Sequence, residues 1–211
     1  SVYAVDLDGD GDIDVLSSSR GDGKVNWYEN NGSESFTTNT ITTNGWGNAE
    51  SFHPADIDAD GDIDVLVALW LDNKIAWYEN DGSENFTAHE ISISSTNSDG
   101  TTERAKSVYA VDLNGDGHLE FLAGLDDGSA GEGSENHLAW FENDGAENFT
   151  EHVISTTYDE ISSVYAADID GDNDIDFLSS ASSSDIIAWY QNDGSNNFTP
   201  QTIASHSSES S

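Results

Sequence analysis

A nine-residue acidic segment occurs four times in this chain, and it limits the possible folds more than any other feature. It begins at Asp6, Asp56, Asp112 and Asp168. Oxygen-bearing side chains stand at segment positions 1, 3, 5 and 9 in every copy. They are Asp6, Asp8, Asp10 and Asp14; Asp56, Asp58, Asp60 and Asp64; Asp112, Asn114, Asp116 and Glu120; and Asp168, Asp170, Asp172 and Asp176. Alternate residues of a tight loop can point inward together. A hard cation such as calcium takes about six to eight oxygens at roughly 2.3–2.6 Å. Position 6 is Gly11, Gly61 and Gly117, then Asn173, residues that tolerate the positive φ of a sharp turn. Position 7 would offer its backbone carbonyl, so Asp12, Asp62, His118 and Asp174 need not match in type. Carboxylates this close repel one another unless something compensates them, and four copies in register point to a metal at each.

An EF-hand is excluded. That loop needs a Glu at its twelfth position and a helix on each side. Here the twelfth residues are Ser17, Val67, Ala123 and Ser179, and the flanks, such as Val2-Tyr3-Ala4-Val5, read as strands.

The rest of the chain repeats with the loops. Each is followed by a Trp (Trp27, Trp77, Trp140, Trp189), nine residues on by a Phe (Phe36, Phe86, Phe149, Phe198), and five further by an Ile (Ile41, Ile91, Ile154, Ile203). A fixed internal period means an array of one supersecondary unit. Each unit reads as four short strands. Strand 1 precedes the acidic loop, around Val2–Val5, Phe52–Ala55, Val108–Val111 and Val164–Ala167. Strand 2 follows it, strand 3 carries the Trp, and strand 4 runs from the Phe to the Ile. Asn31-Gly32, Asp81-Gly82, Asp144-Gly145 and Asp193-Gly194 mark hairpin turns between strands 3 and 4. Pro54 in a strand 1 requires that strand's other edge to be unpaired.

Strand 3 has apolar residues on both faces, with Val25 and Trp27 on one and Tyr28 on the other. Stacked sheets explain that and a lone hairpin does not, so the expected fold is all-β: a β-propeller of four-stranded antiparallel blades, with four repeats in this chain. One domain spans 1–205, with blades at about 1–43, 51–93, 107–155 and 163–204, and 206–211 is a polar tail. The repeated Trp and Phe are expected to pack between blades.

Composition narrows the function. Five Lys and Arg stand against 42 Asp and Glu, for a formal charge of −37. Nucleic acid, which needs a basic footprint, is excluded as a partner. No apolar run approaches the roughly 18 residues of a membrane span. There is no Cys, hence no disulfide and no thiol chemistry. Neither a G-x-S-x-G elbow nor an H-E-x-x-H pair occurs, and the six His are scattered. The Asn-Phe-Thr triplets at 85, 148 and 197 match a glycosylation sequon, but their place in the repeat makes them turn residues.

The Asp-x-Asp-x-Asp-Gly-x-x-Asp loop between strands resembles the FG-GAP and VCBS-type repeats of calcium-binding β-propellers, including integrin α-subunit propellers and many bacterial secreted proteins. The unit Lys74-Ile75-Ala76-Trp77-Tyr78-Glu79-Asn80-Asp81-Gly82 with Phe86-Thr87 is similar to the bacterial versions. The resemblance implies one Ca²⁺ per blade, four in total, held by positions 1, 3, 5 and 9 and the carbonyl of 7. Asn114, Glu120 and Asn173 depart from its pattern, and Glu120, one methylene longer, reshapes the third site.

The expected function is a non-catalytic, extracellular binding, adhesion or structural module for a protein or glycan ligand. Alternatives are a carbohydrate-binding lectin propeller, a subunit of a self-assembling extracellular filament, and a non-catalytic part of a polysaccharide-degrading enzyme. Any small ligand is expected opposite the acidic loops, where connectors vary. Trp46, Trp70, Arg104 and the 126–136 insertion fall there. Unit 1 starts at its own strand 1 and unit 4 ends at its own strand 4. The expected outcomes are therefore a small four-bladed ring, two chains pairing into eight blades, or an array continued by further repeats or subunits.

Overall fold

The computed structural model describes residues 1–42, 48–94, 103–126, 136–156, 160–182 and 184–205. Among these there is no helix. Sixteen strands form four antiparallel four-stranded sheets, each built from consecutive strands. The first holds β1 (Val2–Val5), β2 (Asp14–Ser18), β3 (Val25–Asn30) and β4 (Phe36–Thr40). The second holds β5 (Ala49–Ala55), β6 (Asp64–Leu69), β7 (Lys74–Asn80) and β8 (Phe86–Ile91). The third holds β9 (Arg104–Val111), β10 (Glu120–Asp126), β11 (His137–Asn143) and β12 (Phe149–Ser155). The fourth holds β13 (Ile161–Ala167), β14 (Asp176–Ala181), β15 (Ile186–Asn192) and β16 (Phe198–Ser205). Pro54 lies in β5, an edge strand, where its missing N–H costs no ladder bond.

Three of the first strands start earlier than the hydrophobic pattern suggests, because β5, β9 and β13 each pass a register shift near their beginning. A bulge adds one residue and breaks the two-residue alternation that pattern reading depends on. Arg104, expected in a connector, is therefore the first residue of β9.

The sheets stack face to face in chain order. Leu16, Val25 and Trp27 of the first meet Phe52, Val65, Ala76 and Tyr78 of the second. Leu66, Ile75 and Trp77 of the second meet Val108, Phe121 and Phe141 of the third. Leu122, Leu138 and Trp140 of the third meet Val164, Phe177 and Tyr190 of the fourth. Trp27, Trp77 and Trp140 are buried in these interfaces, Phe149 packs at a tilt against Phe121 at 5.2 Å and Phe198 stacks on Phe177 at 4.4 Å, as expected for packing residues. Substantial contact joins neighbours in sequence, with β9 against both β5 and β13.

The first strands carry a ladder of rings. Tyr3, His53, Tyr109 and Tyr165 occupy one repeat position, with centroids 5.5, 4.3 and 4.8 Å apart in succession. His53 sits between two tyrosines; its Nδ1 accepts the Ala110 N–H at 3.4 Å, and burial pushes its pKa down to about 4.

Two sheets approach closely where β10 meets β13. A Cβ added to Gly124 would come within 2.7 Å of Ile161 Cγ2 and 3.2 Å of the Ile161 carbonyl oxygen. Ile is stiff at χ1 and cannot swing aside cheaply. Gly124→Ala is therefore expected to destabilise the fold by about 1–3 kcal/mol, as overpacked cores do. Urea unfolding in calcium checks this, and an unchanged midpoint would show that the third and fourth sheets can separate without cost.

Candidate metal centres and the grooves between sheets

Each acidic segment forms the β1–β2-type turn of its sheet. Position 9 ties that turn down. Asp14, Asp64, Glu120 and Asp176 are buried, and each accepts the N–H of the segment's second residue at 2.9–3.1 Å. The three aspartates also accept the N–H of the Asn ending strand 3, Asn30, Asn80 or Asn192, at 2.7–2.8 Å. Backbone donors stabilise a carboxylate, but burial opposes them, and burial wins at Asp64, whose pKa rises to about 6. Burial likewise raises Glu120.

Carboxylate oxygens converge in three of the four turns. Asp6, Asp8 and Asp10 bring ligand atoms within 4.8 Å of one another; so do Asp56, Asp58 and Asp64, and Asp168, Asp170 and Asp176. Positions 1 and 3 meet in all three, joined by position 5 or position 9. Oδ1 of Asp6 and Oδ1 of Asp56 are buried without a hydrogen-bond partner, a costly state that a cation held in the cluster would relieve. Burial first, then neighbouring carboxylates, raise Asp8 and Asp58. The donor set, all carboxylate oxygen, fits a hard cation.

The third turn differs. Both oxygens of Asp112 are engaged by backbone N–H groups, of Gly115 and Gly117 at 2.8 and 3.2 Å, but so are those of Asp168 in the fourth turn, by Gly171 and Asn173 at 2.7 and 3.1 Å, and the difference lies in the amide at position 3. Asn114 Nδ2 donates to Asp116 at 3.0 Å and to Glu120 at 3.4 Å, so an amide partly neutralises what a carboxylate would have left charged.

The position 7 side chains point elsewhere. Those of Asp12, Asp62, His118 and Asp174 lie over Gly32, Gly82, Gly145 and Gly194, where a Cβ would collide with them. The acidic loops and the strand 3–4 turns therefore share one end of the molecule. Those turns run longer than a two-residue hairpin, closed by Asp81 N–H to the Asn85 carbonyl at 3.2 Å and its counterparts. The Asn85, Asn148 and Asn197 amides donate to Asp81, Asp144 and Asp193 at 2.9–3.0 Å, the turn role expected of them.

Every Lys and Arg sits toward the other end. Arg20 and Lys24 follow β2, Lys74 opens β7, and Arg104 and Lys106 open β9. Their ion-pair partners are Glu50, Asp22, Glu90 and Asp126, none of them in an acidic loop. Neutralisation at the loops must therefore come from solution. Trp70 and Arg104, both expected at the ligand face, lie together: the Arg104 guanidinium is 4.6 Å from the indole centroid and that of Arg20 is 5.8 Å away. Trp46 and most of the 126–136 insertion lie outside the described residues.

A second feature escaped the sequence reading. Two grooves of about 530 Å³ each lie between the fourth strand of one sheet and the strand 3–4 turn of the next. One is lined by Trp77, His89, Asn148 and Phe149; the other repeats this with Trp140, His152, Asn197 and Phe198. In both, the imidazole stacks on the indole at 4.5 Å. Its Nε2 pairs with a strand 3 carboxylate, Glu79 at 2.6 Å or Glu142 at 2.9 Å. The constant offset from Trp to His was a usable signal, but His stands there in only two units, with Asn39 and Gln201 in the others.

The FG-GAP-like repeat model matches residues 6–67, 56–123 and 124–179, well over half of the chain. The chain belongs to the FG-GAP-like repeat family. No curated protein matches it. Among solved structures, this FG-GAP chain is similar to an Agrocybe aegerita lectin that recognises non-reducing terminal N-acetylglucosamine, with 18% identity and a TM-score of 0.57 over 96% of this chain and 51% of the lectin. It is similar to the V. cholerae biofilm matrix protein Bap1, with 22% identity and a TM-score of 0.53 over 94% of this chain and 27% of Bap1. A puromycin hydrolase shares 13% identity and a TM-score of 0.59 over 97% of this chain and 32% of the hydrolase. At these identities the likeness is one of fold. The chain spans about half or less of each of those proteins.

Proposed function

We propose that this FG-GAP chain is a calcium-stabilised, non-catalytic binding module of an extracellular protein, its sheets forming the blades of a β-propeller. The observation that carries the reading is the pair of buried, unpartnered Asp6 and Asp56 oxygens inside converging carboxylate clusters, at an end of the molecule that has no cation of its own. Positions 1, 3, 5 and 9 of each loop would hold the ion. Among the described residues no helix is long and apolar enough to cross a membrane. Calorimetric titration or native mass spectrometry tests the reading. At least three ions should bind, one for each cluster, and Asp10→Ala should remove one and leave the rest. Absence of binding at millimolar calcium would end the proposal.

The grooves favour a glycan as the ligand. The indoles are buried under the imidazoles, so each groove offers an imidazole and a half-buried Phe ring beside a carboxylate and an amide, a mixture of apolar face and hydrogen-bonding groups that a sugar ring presents in return. The same set in two places fits repeated weak binding sites acting together better than a single reaction centre. Titration with simple saccharides separates two locations. Binding lost in His89→Ala with His152→Ala places the ligand in the grooves; binding lost in Trp70→Ala places it at the far end, beside Arg104.

A further inference from the structure

The three internal interfaces follow one rule. Each sheet uses the face bearing its Trp against the face of the next sheet that bears the neighbouring aromatic, Tyr78, Phe141 or Tyr190. Among the described residues, the fourth sheet presents a Trp face with nothing on it, and the first presents the complementary face, also uncovered.

Equivalent positions show this directly. On the Trp face, Val25, Ile75 and Leu138 are 0% exposed, whereas Ile187 is 47% exposed. Ile41 and Ile91 are buried, and their counterpart Ile203 is 57% exposed. Leu16, Leu66 and Leu122 are buried, while Leu178 is only half-buried and lines a shallow apolar depression with Tyr165 and Ile187. On the complementary face, Phe52, Val108 and Val164 are at most 5% exposed, whereas Val2 is 70% exposed. Ala110 and Ala166 are buried and Ala4 is exposed; Phe36 is exposed where Phe86, Phe149 and Phe198 are half-buried. The two outer faces are the two halves of an interface that the chain already makes three times.

We propose that the fourth sheet docks the first sheet of a second copy of this chain, head to tail, continuing the internal stacking. Ile187, Leu178 and Ile203 of one copy pack on Val2, Ala4 and Tyr28 of the next, the pairing that Ile75, Leu66 and Ile91 make with Val108, Ala110 and Phe141 inside the chain. Tyr165 meets Tyr3 and extends the ladder of rings across the junction. Such a heterologous contact closes into a ring if the rotation per step allows and otherwise grows. Charge opposes it, since each copy carries −37 before metal binds, so association is expected in calcium and at moderate salt and to weaken as salt is removed.

Two one-sided variants test the geometry. Ile187→Glu with Ile203→Glu blocks the fourth sheet only, and Val2→Glu with Ala4→Glu blocks the first only. All four side chains are exposed, so both variants should keep the wild-type melting profile in calcium. Sedimentation and light scattering should give a dimer or larger species for the wild-type chain, monomers for each variant alone, and a 1:1 heterodimer of twice the monomer mass when the variants are mixed. The mixture reassembles because one variant keeps a free fourth sheet and the other a free first sheet. A wild-type chain that stays monomeric across the micromolar range overturns the proposal. So does a single variant that still dimerises, which would mean like faces pair, or a mixture that stays monomeric.

Discussion

Removing calcium with a chelator should lower the melting temperature by about 20 °C. If free calcium stands at about 100 times its Kd, linkage gives roughly 2.7 kcal/mol per site, or about 8 kcal/mol for three clusters. That rivals the roughly 5–15 kcal/mol that holds a typical domain together, and for a chain of this length each kcal/mol moves the midpoint by about 2–4 °C. The structural reason is local. Asp64 is fully buried and strongly disfavours its charge, Asp6 and Asp56 keep an orphaned oxygen, and the cations of the chain are at the other end. Without metal these loops carry repulsion that only screening relieves, so added salt should recover part of the loss and calcium all of it. Melts with and without chelator, with metal content measured, check this. An unchanged midpoint in metal-free protein would mean that the hydrogen bonds from Leu7, Ile57 and Asn80 suffice to hold the turns.

Acid should weaken the fold through His53, and His53→Tyr should remove that sensitivity. Above pH 6.5 the imidazole is neutral both folded and unfolded, and its contribution is fully present. Between 6.5 and about 4 the unfolded chain takes up a proton that the buried ring refuses, and stability falls by about 1.4 kcal/mol per pH unit. The whole loss by pH 4 is about 3 kcal/mol, and near pH 5 it is about 2 kcal/mol. The cause is position: the ring is held between Tyr3 and Tyr109, and its Nδ1 already accepts the Ala110 N–H. Tyr stands at this repeat position in the other three units, so the substitution follows the ladder's own pattern. Acid also titrates the metal-binding carboxylates, and comparing the two proteins in calcium from pH 7 to 5 isolates the His53 share. Parallel pH profiles for wild type and His53→Tyr would show that the imidazole titrates normally.

The repeat, the four strands of each unit, the packing role of the Trp and Phe and the acidic turns were all legible in the sequence. Each is written by short-range rules: alternation along a strand, Gly or Asn where φ is positive, and oxygens on alternate residues of a tight turn. Such rules need only neighbours in the chain, and the period makes each visible four times. What the sequence hid depends on contacts between distant residues. The starts of β5, β9 and β13 were missed because a bulge breaks alternation, and only sheet pairing reveals it. Which oxygens converge differs at position 9. Its carboxylate is held by the Asn N–H at the end of strand 3, about 16 residues away, in all three aspartate loops, yet it joins the cluster only in the second and fourth, while position 5 completes the first, a difference that loops of like sequence do not show. The grooves exist because one sheet's fourth strand meets the next sheet's turn, a juxtaposition between units that no single repeat encodes. The ladder of His53 among tyrosines and the uncovered faces at the two ends have the same origin. Burial belongs to the stack of sheets, so residues at one repeat position can be buried in three sheets and exposed in the fourth.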